Sequence, residues 1–469
     1  MLFKRCISLT ILFFFLFSEF TFLGGNGLVR AFSVGEEREY GEKMLTVIRL
    51  QFKLLDDPDI SQYINNIGDE ILSVTGSQYF NYHFYMIADR DFNAFAAPSG
   101  LVFVHSGLLK KMENEGELFS VIAHECGHVS CRHIADRIAK SSKVNASTLA
   151  LMLAGVLMGG GALSQALITG GMATGTSMNL TFSRQDEEEA DRVGYRSMVA
   201  NKRNPKDMVS MLKKMYRISK IRMGKLPPYL LTHPEPQVRM GYVEDLIVQD
   251  PGAEYRMTDQ FNFNRIQNRV FSLTENPMKL FPRYRKILRT SENVTEKIMA
   301  YYGLSQAYLV NNEFDRAREN LLKVIQFFPD KPILLTDLGV IDFQQGNFDH
   351  ALSHFLEVRN QEPGNWYNTF HLAKTLQKTG DPERALVLYD QLSSVIPDYP
   401  GLYYQIAEIV AGYGEQGEAH FYLGKYYFCD GNFKTATFHL HKARKSLPTV
   451  SKLQKEIEEI LTKIRDVKG

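Results

Sequence analysis

Cysteine is scarce in this chain. Four occur in 469 residues: Cys6, Cys126, Cys131 and Cys429. Cys6 falls in a leader-like segment, which leaves an odd number with no spacing that suggests a disulfide framework. The remaining thiols read as small buried hydrophobes. An excess of one charge sign is also missing. Lys and Arg number 54 and Asp and Glu 53, a formal net charge of +1. No strong field draws the chain to nucleic acid or to an acidic partner, so a nucleic-acid role is set aside. Repeated long apolar spans are absent too, which disfavours a multi-span membrane protein.

What is present at the N-terminus reads as an export signal. Lys4 and Arg5 precede thirteen uncharged residues, Cys6 to Ser18. That run fits a signal-peptide core and is short for a membrane span. Val29-Arg30-Ala31 offers small residues at plausible cleavage positions. A retained anchor is the alternative. Either way the body of the chain is placed across a membrane.

Residues 34 to 75 read as helical, with a break at Leu54-Leu55-Asp56-Asp57-Pro58. Tyr79 to Ile87 reads as a strand. Asn93-Ala94-Phe95-Ala96 and Leu101 to Val104 read as a strand pair joined by Pro98-Ser99-Gly100. Glu115 to Ile134 reads as one long helix. Asn145 to Ser183 then carries no charge. Its apolar pieces, Leu149 to Met158 and Ala162 to Ile168, are split by glycines and are too short to span a bilayer. They read as two buried helices, or alternatively as a flap or hairpin making peripheral membrane contact.

The last third repeats. Ala317, Ala351 and Ala385 are 34 residues apart, and Pro329, Pro363 and Pro397 keep the same period. Leu338-Gly339 lies where a tetratricopeptide repeat places such a pair. Leu423-Gly424, Tyr427, Ala436 and Pro448 restate the pattern 51 residues on from Ala385, so an extra helix is expected around Leu402 to Ala411. Such a solenoid offers a surface for peptides or partner proteins, or serves as a platform without a ligand. Residues 251–293 read as a connector with little chemical signal.

The chemistry concentrates in His124-Glu125-Cys126-Gly127-His128. Histidines at i and i+4 share one helix face and can hold a single Zn2+. Glu125 beside them can serve as general base toward an attacking water. Cys126 should point away from the metal. A catalytic zinc needs a third protein ligand, and Ser183 to Asp191 is the best source. Glu187 and Asp191 share a face at i and i+4, so one could bind zinc while the other orients an imidazole. Spacing alone leaves Glu187, Glu188 and Glu189 open.

These pieces resemble the periplasmic BepA-type metallopeptidases, relatives of HtpX and the CAAX prenyl proteases. The resemblance rests on Asn93 to Ala96, Gly107-Leu108-Leu109, His124 to His128, Ser183-Arg184 with Glu187-x-x-Ala190-Asp191, and Thr232-His233-Pro234. It covers most of residues 34 to 245, and that type also carries C-terminal repeats. It implies one zinc per chain on His124, His128 and Glu187, with Asp191 supporting a ligand and Glu125 as base. It implies that His233 caps the zinc in a resting state or donates to the tetrahedral oxyanion. Arg239 is a weaker candidate for substrate contact. The strand at Asn93 to Ala96 would pair with an extended substrate.

The expected fold is α+β: a mainly helical zincin-like domain with a small sheet over residues 32–250, after a leader at 1–31. A connector at 251–293 and an all-α repeat solenoid at 294–469 follow. The expected function is zinc-dependent cleavage of misfolded or unassembled outer-membrane proteins, with a chaperone contribution and docking on the assembly machinery through the repeats. The competing class is a non-proteolytic scaffold or chaperone with a latent or structural zinc site.

Overall fold

The computed structural model describes residues 33–140, 181–221, 226–250, 254–258 and 260–468. The segment read as a leader, 1–31, and the glycine-split apolar stretch at 149–171 lie outside the described residues. No helix among the described residues is long and apolar enough to cross a membrane.

Helix α1 (Val34–Gln51) starts behind a reciprocal cap, in which Ser33 and Glu36 each accept the other's backbone N–H. Helix α2 (Pro58–Leu72) starts on Pro58, with Asp57 accepting the amides of Asp59 and Ile60. The expected strands then appear: β1 (His83–Ile87), β2 (Ala94–Ala97) and β3 (Leu101–His105). Their order is β1-β3-β2, with β1 parallel and β2 antiparallel to β3. Pro98 to Gly100 makes the tight turn, with Ser99 at a left-handed φ of 70°. β1 is shorter than read, beginning at His83 rather than Tyr79.

A short α3 (Ser106–Leu109) leads to α4 (Glu115–Ser130), which carries the HExxH. Leu118, Phe119, Ile122 and Ala123 on α4 are fully enclosed, so this helix forms the centre of the N-terminal core. The long helix expected to Ile134 is in fact broken. Cys131 and Arg132 close α4 by bonding back to Gly127 and Val129, and Arg132 takes a φ of 57°. α5 (His133–Lys140) restarts after this turn. α6 (Arg184–Ala200), α7 (Lys206–Ile221), the single turn α8 (Pro228–Thr232) and α9 (Pro236–Gln249) complete the unit. α6 crosses α4 closely because residue 127 is glycine. A Cβ there would sit 2.8 Å from the Ala190 backbone, so Gly127 permits the approach that Ala190 and Gly194 complete.

The segment read as a connector is instead two helices, α10 (Gln260–Thr274) and α11 (Pro277–Thr290). α10 is apolar on two sides. Phe263, Ile266 and Val270 enter the N-terminal core, while Phe261 and Phe271 enter the core of the repeats. Composition hid this because its charged residues, Arg265 and Arg269, are buried in ion pairs rather than solvated.

The repeats follow as helix pairs: α12 (Val294–Val310) with α13 (Phe314–Phe327), α14 (Ile333–Gln345) with α15 (Phe348–Gln361), and α16 (Trp366–Lys378) with α17 (Pro382–Val395). The extra helix is α18 (Pro400–Gly412), before α19 (Gln416–Cys429), α20 (Phe433–Ser446) and α21 (Lys452–Lys468). Ala317, Ala351, Ala385 and Ala436 are each fully buried. At Gly339 a Cβ would meet the Phe355 ring at 2.7 Å, which explains the Leu-Gly signature as close helix contact. The solenoid packs on the N-terminal unit: Arg49 donates to the Cys429 carbonyl at 2.7 Å, and Tyr85 donates to Asp398 at 2.7 Å.

Candidate metal centre

Three elements converge on one buried point. α4 presents His124, Glu125 and His128, α6 presents Glu187 and Asp191, and His233 follows α8 directly. His124 Nε2 and His128 Nε2 lie 3.0 Å apart, and Glu187 Oε1 is 3.4 Å from His128 Nε2. His233 Nδ1 is 3.3 Å from His124 Nε2 and 2.9 Å from Glu187 Oε1. All four side chains are buried, and their nearest ligand atoms lie within 4.8 Å of one another. Glu188 and Glu189, which spacing left open, point elsewhere: Glu188 pairs with Arg192 and Glu189 with His133.

The atoms around the centre fit a divalent cation. Asp191 Oδ1 sits 2.7 Å from His124 Nδ1, so that nitrogen carries the proton and the Nε2 lone pair faces inward. It faces His128 Nε2 at 3.0 Å, so the two nitrogens can share a proton or turn their lone pairs on one cation. Burial would raise Glu187, but the Arg239 guanidinium and His233 outweigh it and hold the carboxyl well below its ordinary range. Burial likewise opposes ionisation of Asp191, and Arg239 and His124 again prevail. Burial holds the His128 ring well below the imidazole range, with Glu187 pulling the other way. Counting Glu125, Glu187 and Asp191 against Arg239 leaves a formal charge of −2 on buried side chains, a costly excess that a divalent ion offsets. Both Glu125 oxygens are buried without a hydrogen-bond partner. That is costly for a structural carboxylate and useful for one that must accept a proton.

Residues 58–247 match the profile of Peptidase family M48. Metalloprotease LoiP of Escherichia coli K12 is 30% identical over 186 residues, covering 40% of this chain and 68% of its own length. The chain belongs to peptidase family M48. It is a metallopeptidase. The beta-barrel assembly-enhancing protease of Escherichia coli K12 is 28% identical over 375 residues, 77% of this chain and 74% of its own. Among solved structures, the tetratricopeptide-repeat protein YrrB, described as having an unusual peptide-binding site, aligns with 42% of this chain and 97% of its own at 17% identity and a TM-score of 0.28.

The surroundings of this M48 centre hold residues that sequence reasoning weighed differently or missed. Arg239, weighed for substrate contact, is buried instead. It donates to Asp191 from Nε at 2.8 Å and Nη2 at 2.7 Å, and its Nη1 lies 2.6 Å from Glu187. Tyr242 also donates a short hydrogen bond to Asp191. Tyr229, one turn before His233, stacks on the His233 ring with centroids 4.3 Å apart. The spacing Tyr229-x-x-x-His233 was a readable signal, since both fall on one helical face. Phe182 stacks on His128 at 3.8 Å, and His133 Nδ1 meets His128 Nδ1 at 2.9 Å. Neither was legible, because the first depends on a loop path and the second on the break at Arg132. Cys126 is buried on the core side of α4.

Ala94 to Ala96 lie on β2 at the edge of the sheet, with Asn93 just before it. All four residues are buried. Phe92 beside them packs edge-on against Tyr229 at 6.3 Å. The edge strand and the metal centre are therefore both covered, and α8 with His233 contributes to the cover.

Proposed function

We propose that this chain is a zinc-dependent endopeptidase that hydrolyses peptide bonds of misfolded or unassembled outer-membrane proteins in the periplasm. The observation that carries this is the convergence of His124 Nε2, His128 Nε2 and Glu187 beside an unpartnered, buried Glu125. His124, His128 and Glu187 hold one Zn2+, and Asp191 holds His124 in the required tautomer. The bound ion would act as a Lewis acid toward the scissile carbonyl and acidify water. Glu125 takes the proton of the attacking water and passes it to the leaving amine. Asn93 to Ala96 pair with the extended substrate once the cover moves. The catalytic unit spans residues 32–250 and the repeat unit 294–469. The leader exports the chain, and the repeats present substrates or dock on assembly machinery, in keeping with the name of the beta-barrel assembly-enhancing protease it resembles.

His233 supports a second element, latency. It occupies a ligand position and lies 3.6 Å from Glu125. With His233 inward, its ring stands beside Glu125, where a substrate carbonyl or the attacking water would have to come. His233→Ala is therefore expected to cleave casein at least about tenfold faster than wild type, since a shut state favoured by ~1.4 kcal/mol already costs that factor. The competing class is a chaperone or scaffold with a permanently shut site. If neither protein cleaves casein at any zinc concentration, while deletion of the repeats abolishes capture of unfolded protein, the scaffold prevails.

A further inference from the structure

The side of His128 away from the proposed zinc is held by a chain of two residues. His128 Nδ1 faces His133 Nδ1 at 2.9 Å, and His133 Nε2 faces Glu189 Oε2 at 3.2 Å. A histidine that gives a metal its Nε2 lone pair carries its proton on Nδ1. His128 must then donate to His133 Nδ1, which must accept. A neutral His133 accepting at Nδ1 carries its proton on Nε2 and donates it to Glu189. One tautomer of His133 thus satisfies the whole chain. The turn at Cys131-Arg132 makes this possible, because it folds residue 133 back onto residue 128 instead of carrying it around the helix.

The same turn brings a thiol to this place. Cys131, His133 and Glu189 present ligand atoms within 4.8 Å of one another. Cys131 is half-buried and Glu189 is exposed, with its other oxygen on Gln185 at 2.9 Å. Sulfur, imidazole nitrogen and carboxylate oxygen together suit zinc and the softer cadmium. A cation here takes the Nε2 lone pair of His133, and the Cys131 proton goes to solvent. His133 then carries its proton on Nδ1, facing the proton on His128 Nδ1. Two donors cannot share that contact. We propose that Cys131, His133 and Glu189 form a second, inhibitory site for a thiophilic divalent cation, coupled to the catalytic centre through the tautomer of His133.

This inference rests on the zinc centre proposed above, and the test separates the two. The full chain loaded with one Zn2+ is titrated with Cd2+. Thiolate-to-cadmium absorption and casein cleavage are followed together. The expected result is a band that saturates at one Cd2+ per chain, with cleavage falling about tenfold or more in step. Cys131→Ser should lose the band and keep its cleavage in Cd2+. The other described cysteines, Cys126 and Cys429, are buried and should give no band. Glu189→Gln, which leaves His133 an amide oxygen to donate to, should need several-fold more Cd2+. His124→Ala should still show the band, so failure of the catalytic site leaves this readout intact. No band in wild type, a band without inhibition, or equal inhibition in Cys131→Ser overturns the proposal.

Discussion

Glu125→Gln is expected to keep one metal per chain and to cleave casein roughly 10²–10⁴-fold more slowly, the range for removing a general base. Glutamine has the size of glutamate but cannot take a proton. The expectation is sharp because both Glu125 oxygens are buried and free of hydrogen bonds. Its loss breaks no network, so folding and metal content should survive. The converse holds for the residues holding His124. Asp191 takes bonds from Arg239 and Tyr242 and lies against His124, so changes there would act on metal binding before chemistry. Metal content by elemental analysis, measured beside initial rates, separates the two. Cleavage by Glu125→Gln within threefold of wild type would rule out its role as base.

Arg269→Ala is expected to destabilise the chain by about 3–5 kcal/mol, the range for stripping one partner from a buried ion pair. Arg269 donates to Asp57 at 2.8 Å and to Tyr367 at 3.0 Å, and lies 3.5 Å from Asp337. Asp57 caps α2 in the peptidase unit, whereas Tyr367 and Asp337 belong to the repeats, so one guanidinium ties the two together. Beside it Arg265 donates to Asp59 at 2.6 Å. Burial raises Asp337 to about 6, with Arg265 and Arg269 holding it down. Without Arg269 these acids lose half of their compensating charge. Arg316→Ala, at a largely exposed pair with Glu313, is the control and should cost at most about 1 kcal/mol. Urea unfolding of the three proteins gives the comparison. An Arg269→Ala cost below 1 kcal/mol would show that the interface does not depend on these charges.

What was legible in the sequence was periodic or local. The 34-residue spacing gave the paired helices, with Ala317, Ala351 and Ala385 at their contacts. His124 and His128 at i and i+4, and Glu187 and Asp191 at the same spacing, lie as helical geometry requires. Gly127 and Ala190 meet where α4 and α6 cross. What was not legible depends on partners distant in sequence. Arg265 and Arg269 looked like a solvated connector because Asp57, Asp59 and Asp337 lie some 70 to more than 200 residues away. Arg239 looked available to substrate because its charge partners were unknown. The break at Arg132 carries no glycine or proline, so nothing local marks the turn that brings His133 to His128. Tyr229 was missed for a different reason: its spacing was visible, but the covering of β2 and of His233 was not.

The most direct measurement is zinc content and casein cleavage of wild type and His124→Ala, purified side by side, with His233→Ala as the opened reference. The account predicts one zinc in wild type and in His233→Ala, cleavage by both with the latter faster, and neither zinc nor cleavage in His124→Ala. Stoichiometric zinc in His124→Ala, or cleavage by it at the wild-type rate, would contradict the account.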